Sequence, residues 1–367
     1  MMIERPTTSL KYATPSGSQL VPVVPSPPAT PVDDQHSASI MDPNDTLPIT
    51  LYDFSMLDYQ LEKARVIGTG LWSTVCLAET HSTREPSLLT PPSSPPVQRA
   101  MASARLVAVK IPTATGAKDV FQQEAKILTC LMRRESAVEH VVGFHGLDPR
   151  NGALVLEAVI GGSLEHLNNR LRHLTEMERH LKLVKIFPGI ARDLIGGLAF
   201  LHAAGVVHAD IKPSNVLLDI SDHHSQQELV YRARYIDFSA SFRPACGDTT
   251  EYAGGTWDYM APEQMVVTQQ DTVTPASDVW ALGITLLTLI IGASPYTETC
   301  GASNRFRLRE AVKSGDPLGF ARSDHTTQQR MAACQDNVDC CRHALQKDRG
   351  RRPSAMMWKK WFTSQEM

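Results

Sequence analysis

The chain contains no apolar run long enough to cross a bilayer: the longest, Trp280 to Ala293, is too short, carries threonines, and reads as a buried helix. The first residues also lack an apolar core. Met1 to Pro6 leads into polar, proline-rich sequence, so no secretory signal is expected. Aromatic residues make up only 6%, and the net charge of −3 gives no general attraction to nucleic acid or anionic membrane. The seven cysteines are odd in number and scattered, with only Cys340 and Cys341 adjacent, and together with Cys334 they lack paired zinc-ligand spacing. That usage fits a reducing compartment, and the expected location is intracellular, cytoplasmic or nuclear.

What is present includes two stretches whose composition resists folding. Residues 1–50 are rich in Pro, Ser and Thr and cannot bury enough apolar surface to offset chain entropy, so a disordered tail is expected there. A second such stretch, about 80–104, contains Thr90, Pro91, Pro92, Ser93, Ser94, Pro95 and Pro96. Thr14, Ser26, Thr30, Thr90 and Ser94 each precede a proline, so upstream proline-directed kinases are conceivable partners; unmodified linker is the plainer reading. Residues 51–367 remain, enough for one two-lobed domain.

Within them, His208, Ala209, Asp210, Ile211, Lys212, Pro213, Ser214 and Asn215 place a carboxylate, an amine and a carboxamide at fixed intervals. Moving a phosphoryl group needs an acceptor for an alcohol's proton, a cation near the phosphoryl and oxygen ligands for a divalent metal. Upstream, Val66 to Val75 reads as strand, glycine turn and returning strand, with Ile67, Gly68, Thr69 and Gly70 at the turn. Leu106 to Lys110 is a short apolar run ending in an amine, and Phe121 to Leu128 carries Glu124 near the apolar face of a helix. Downstream, Asp237 directly follows an apolar strand ending at Tyr235, Ile236. Taken singly, each has an ordinary alternative: a polar loop, a hairpin, a buried strand with a solvated lysine, a surface glutamate, a turn aspartate.

In this order the segments resemble the eukaryotic protein kinase family, from about Tyr59 to Phe362. Met260, Ala261, Pro262, Glu263, the run Ser277 to Gly283, and Arg352 continue the family order. The resemblance implies an α+β, two-lobed fold with a β-rich small lobe (about 59–157) and a mostly helical large lobe (about 160–363). The 80–104 stretch then becomes an insertion in the small lobe. It implies ATP and Mg²⁺ as cofactors and serine/threonine hydroxyls of proteins as acceptors. Ile67, Gly68, Thr69 and Gly70 would cover the phosphates, and Lys110, held by Glu124, would contact the inner ones. Asn215 and Asp237 would hold Mg²⁺, Asp210 would accept the proton, and Lys212 would sit against the transferred phosphate. Val75, Ala108 and Leu217 would line the adenine pocket, with Leu156 behind it and the backbone of Glu157 to Val159 reading the base. Thr256 would help seat the hydroxyl substrate, Arg352 would pair with Glu263, His208 would pack on Phe238, and Asp278 would accept bonds from the catalytic loop's backbone.

Three residues depart from the family pattern. Ser73 stands for the third glycine of the loop, Ala209 for the arginine before the base, and Ser239 for the glycine after Asp237. None removes a group that handles ATP, Mg²⁺ or the proton. Ala209 cannot pair with a phosphate on the activation segment, so activity is expected not to depend on phosphorylation of Thr249 or Thr250. These departures keep open a pseudokinase that acts as a nucleotide-binding or scaffolding protein. A small-molecule kinase on a related fold is a further alternative, against which the Ala-Pro-Glu segment counts. Ser163, where many basic-directed members carry an acid, argues against a preference for basic peptides.

Overall fold

The computed structural model describes residues 48–83, 105–223, 228–248, 255–266, 273–300 and 304–365. Inward-facing Cys76, Ala78 and Thr80 alternate with outward Glu79 and His81, which makes β3 (Ser73–Ser82) a half-buried strand. β1 (Leu57–Tyr59) and β2 (Arg65–Thr69) both pair antiparallel with it. On its other edge follow β4 (Leu106–Pro112), β6 (Leu154–Glu157) and β5 (Phe144–Leu147), all antiparallel. Helix α1 (Ala117–Met132) connects β4 onward and buries Val120, Phe121, Glu124, Ala125, Ile127, Leu128 and Leu131, one face at three- and four-residue spacing. The short α2 (Ala137–His140) follows it.

Residues before the small-lobe start at about 59 are already tied to the sheet and to α1. The Thr50 N–H donates to Thr129 Oγ1 at 3.0 Å, the Leu147 N–H donates to Thr50 O at 2.9 Å, and Leu51 bridges to Leu147. The expected insertion also starts later than residue 80, because β3 continues to Ser82 in register with Leu57 of β1. Residues 84–104 and those before Pro48, with the proline-preceding Ser and Thr sites, lie outside the described residues.

The second part is mostly helical: α3 (Leu164–Leu171), α4 (Glu176–Ala203), α5 (Pro275–Ile291), α6 (Thr297–Cys300), α7 (Arg305–Ser314), α8 (Pro317–Ala321), α9 (His325–Ala333), α10 (Gln335–Ala344) and α11 (Ala355–Gln365). A two-stranded hairpin, β7 (Val216–His223) with β8 (Glu228–Tyr235), lies against α4. The architecture is the two-lobed α+β arrangement expected. α5 is buried on all sides from Ser277 to Ile291, with Trp280 fully enclosed, so it is the central helix of the main core.

Helix α4 is the longest helix among the described residues. It starts at Glu176 because Thr175 and Glu178 form a reciprocal capping box, and Pro188 is accommodated within it. Gly205, at φ +72°, stops it. One α4 glycine is sterically required: a Cβ on Gly197 would lie 2.9 Å from the ring of Tyr235. That close approach lets the Tyr235 hydroxyl donate to Leu194 O at 2.8 Å, which fastens β8 to the helix.

Candidate active site

β4 carries Lys110, its fifth residue, into the interior beside α1, where the residue is only 6% exposed. Its Nζ donates to both oxygens of Glu124 at 2.9 and 2.8 Å and to Asp237 Oδ1 at 2.8 Å. Glu124 is 1% exposed, so it is no surface glutamate. Burial disfavours the lysine's charge, but the two carboxylates outweigh that cost and hold its pKa above the ordinary value. Burial likewise opposes ionisation of Asp237, and the Lys110 charge overrides it, keeping the carboxyl well below the usual carboxylate range. The Ser239 hydroxyl also bonds to Asp237. Asp237 itself sits at φ +62°, a conformation costly for a residue with a Cβ, and the Phe238 N–H behind it donates to Glu124 Oε1 at 3.2 Å.

The segment from His208 to Asn215 is pinned from below. Asp278 accepts the N–H groups of His208 at 2.8 Å and Ala209 at 2.9 Å, and His208 packs on Phe238 with ring centres 4.9 Å apart. Ala209 adopts φ +67°, a second strained position. Above it, Asp210 Oδ2 accepts from Lys212 Nζ at 2.7 Å and Asn215 Nδ2 at 3.0 Å, while Oδ1 accepts from Thr256 Oγ1 at 3.1 Å. Lys212 also donates to Thr256 at 2.9 Å. Asn215 O accepts the Ile236 N–H at 3.0 Å, so the loop and the segment bearing Asp237 are joined. Gly255, at φ +98°, comes so close to the loop that a Cβ would lie 2.8 Å from Ala209 O.

The glycine turn closes β2 onto β3: the Gly70 N–H donates to Ser73 O at 2.7 Å, Gly68 faces Val75, and Leu71 is exposed at the tip. Ser73 is a buried strand residue and is not among the positive-φ positions, so its side chain is accommodated without backbone strain. Ladder pairing sets Val75 opposite Lys110 and Ala108 opposite Leu156, and Leu217 bridges to Ser163. The Glu157 side chain points to Arg234, which it binds at 2.7 and 2.8 Å, and its N–H is taken by Gly143 O at 2.8 Å. Ser163 caps α3 in a reciprocal box with His166.

Glu263 and Arg352 meet as expected in two 2.7 Å bonds. Two contacts around the site had no signal in the sequence. Within the segment after Asp237, Asp248 accepts from the N–H and the Nε of Arg243 at 3.0 and 3.1 Å across a short 3₁₀ turn, Pro244–Cys246. Near Thr256, the Arg305 guanidinium lies 4.8 Å from the centre of the Trp257 ring. Thr249 and Thr250 lie outside the described residues.

A two-lobed fold that ties a strand lysine to a helix glutamate and sets a capped aspartate beside a loop lysine and asparagine defines a kinase-type scaffold. The family model for the protein kinase domain matches residues 96–362, and the chain belongs to that family. The match begins after the glycine turn, whose reading rests on the β2–β3 geometry. Similar curated proteins include mitogen-activated protein kinase kinase mkk2 of Aspergillus fumigatus, 31% identical over 194 residues, 52% of this chain and 35% of that protein. Serine/threonine-protein kinase ksp1 of Schizosaccharomyces pombe is 35% identical over 184 residues, 48% of this chain and 35% of that one. Atypical protein kinase C of Drosophila melanogaster is 29% identical over 276 residues, 74% and 38% of the two chains. The chain spans little more than a third of the length of these relatives. Among the described residues no helix is long and apolar enough to cross a membrane.

Proposed function

We propose that this chain transfers the γ-phosphoryl group of ATP to serine or threonine hydroxyls of protein substrates. One observation carries the reading: the Asp210 carboxylate is oriented by three donors, while Lys110 is shared between Glu124 and Asp237. Asp210 Oδ accepts the proton of the incoming hydroxyl, which Thr256 positions. Lys212 can leave its contact with Asp210 and Thr256 to face the transferred phosphoryl. Lys110 neutralises inner phosphates, and the glycine turn shields them with backbone N–H groups.

The donor set fits Mg²⁺. Asn215 spends its Nδ2 on Asp210, which leaves its amide oxygen, and Asp237 offers its second carboxylate oxygen. One carboxylate, one amide oxygen and substrate phosphates suit a small hard cation that keeps several waters. When bound, the ion offsets the charge of the phosphates. Val75, Ala108, Leu156 and Leu217 enclose the base, and the hinge backbone through Val159 reads it, the Glu157 N–H already belonging to the sheet.

The Arg243–Asp248 pair supports independence from phosphorylation at Thr249 and Thr250. A carboxylate already neutralises the segment's cation where a phosphate would otherwise be called for. The test is turnover of generic serine and threonine peptides with Mg·ATP, beside a thermal shift on adding Mg·ATP. Transfer that disappears in Asp210→Asn establishes the reading. No transfer to any protein, the chain itself included, and no shift with Mg·ATP would leave a scaffold in its place.

A further inference from the structure

We propose that Arg305 selects protein substrates carrying an acidic group, carboxylate or phosphate, within about four residues of the accepted hydroxyl. The inference rests on the kinase reading above. Thr256 touches Asp210, and Trp257 follows it in the chain. Consecutive Cα atoms are about 3.8 Å apart, so a guanidinium stacked on Trp257 lies on the order of 10 Å from the phosphoacceptor position. An extended peptide covers that distance in roughly three residues at about 3.3 Å each.

Arg305 is held there on several counts. α7 begins at this residue, its start capped by Asn304 Oδ1 accepting the Arg307 N–H at 2.9 Å. One turn on, Arg309 donates to Met265 O at 3.1 Å, and Leu308 packs with Met265, Trp257 and Met260. The helix is thereby fixed against the segment that presents Thr256. Arg305 is exposed, stacks only on Trp257, and has no acidic partner among the described residues. A stacked guanidinium keeps its N–H edge open, the geometry that receives a carboxylate or phosphate in a fork. The neutral, capped Ser163 adds no carboxylate of its own to repel an acidic peptide.

The experiment uses the full chain and serine peptides with alanine, aspartate, phosphoserine or lysine at each position from four before to four after the acceptor. Affinity is read by fluorescence anisotropy without ATP, and KM by turnover with Mg·ATP. An acidic residue at one or two positions is expected to tighten binding and lower KM about three- to tenfold over alanine. Arg305→Gln brings that ratio to about one, and Arg305→Glu inverts it in favour of lysine at the same position. Preference shared by aspartate identifies intrinsically acidic sequences; preference confined to phosphoserine identifies substrates already phosphorylated nearby. A ratio below twofold at every position, or an unchanged ratio in a folded Arg305→Gln or Arg305→Glu chain, overturns the proposal. Absent turnover on every peptide refutes the kinase reading instead, and the anisotropy ratios still decide the role of Arg305.

Discussion

Two buried ion pairs in this molecule look alike and are built for different ends. Arg352 is closed: its side chain is 0% exposed, it grips Glu263 twice, and its remaining N–H groups go to the carbonyls of Gln346, Ala276 and Lys347. Lys110 is open: it is shared by two carboxylates, one of which, Asp237, is 35% exposed. A pair that satisfies every group internally is a fastening. A pair that leaves one partner half in solvent keeps a place for something else. Buried ion pairs are weak evidence for stability as such, because desolvation offsets attraction; what distinguishes these two is where their unused valence points.

The sharpest break of the comparison is on the open side. Asp210→Asn should lower kcat roughly 10²–10⁴-fold while circular dichroism and melting stay near those of the parent, as for a general base rather than a scaffold residue. The closed pair should answer in the opposite currency. Arg352→Leu leaves Glu263 buried without its partner, which costs about 3–5 kcal/mol. At about 2–4 °C per kcal/mol for a domain of this size, the melting temperature should fall on the order of 10 °C, with residual activity per folded molecule largely kept.

A smaller effect is expected between the two. Thr249→Ala with Thr250→Ala should change turnover less than about threefold, whereas Asp248→Ala, which frees Arg243, should reduce it more; a loss above roughly tenfold in the folded double-alanine chain would remove the idea that the segment needs no phosphate. The smallest effect is on acidity. The folded pKa of Asp237 lies below its unfolded value of about 3.9, so its stabilising contribution is full above that pH and declines as pH falls through the folded pKa. The melting difference between the parent and Asp237→Asn should therefore stay constant from pH 7 to about pH 4 and narrow below it. A difference already shrinking at pH 6 would contradict the lysine's hold on this carboxyl.

Lys110, Glu124, Asp210, Asn215, Asp237, Glu263 and Arg352 could be singled out in the sequence through the resemblance in motif order, and two of them also carry a local signature. Glu124 follows from a helix face and Asp237 from a strand end. The start of α4 was also written there, as Thr175 and Glu178 three residues apart, a capping signal that the apolar periodicity alone does not reveal. The hairpin of β7 and β8 was less visible, since Ser221 to Gln227 carries no glycine turn to mark it. Contacts between residues far apart in the chain had no local signature at all: Glu157 with Arg234 joins positions 77 apart, and Arg305 meets Trp257 only because α7 is packed against the segment before it. Such pairings depend on how finished elements dock, which no local window of sequence encodes.

The Tyr235 hydroxyl anchored on Leu194 O has a consequence of its own. The strand that ends two residues before Asp237 is referenced to the longest helix among the described residues, much as a machinist takes every measurement from one stiff rail. Remodelling of the outer loops can then proceed without shifting the Asp237 carboxylate two residues beyond.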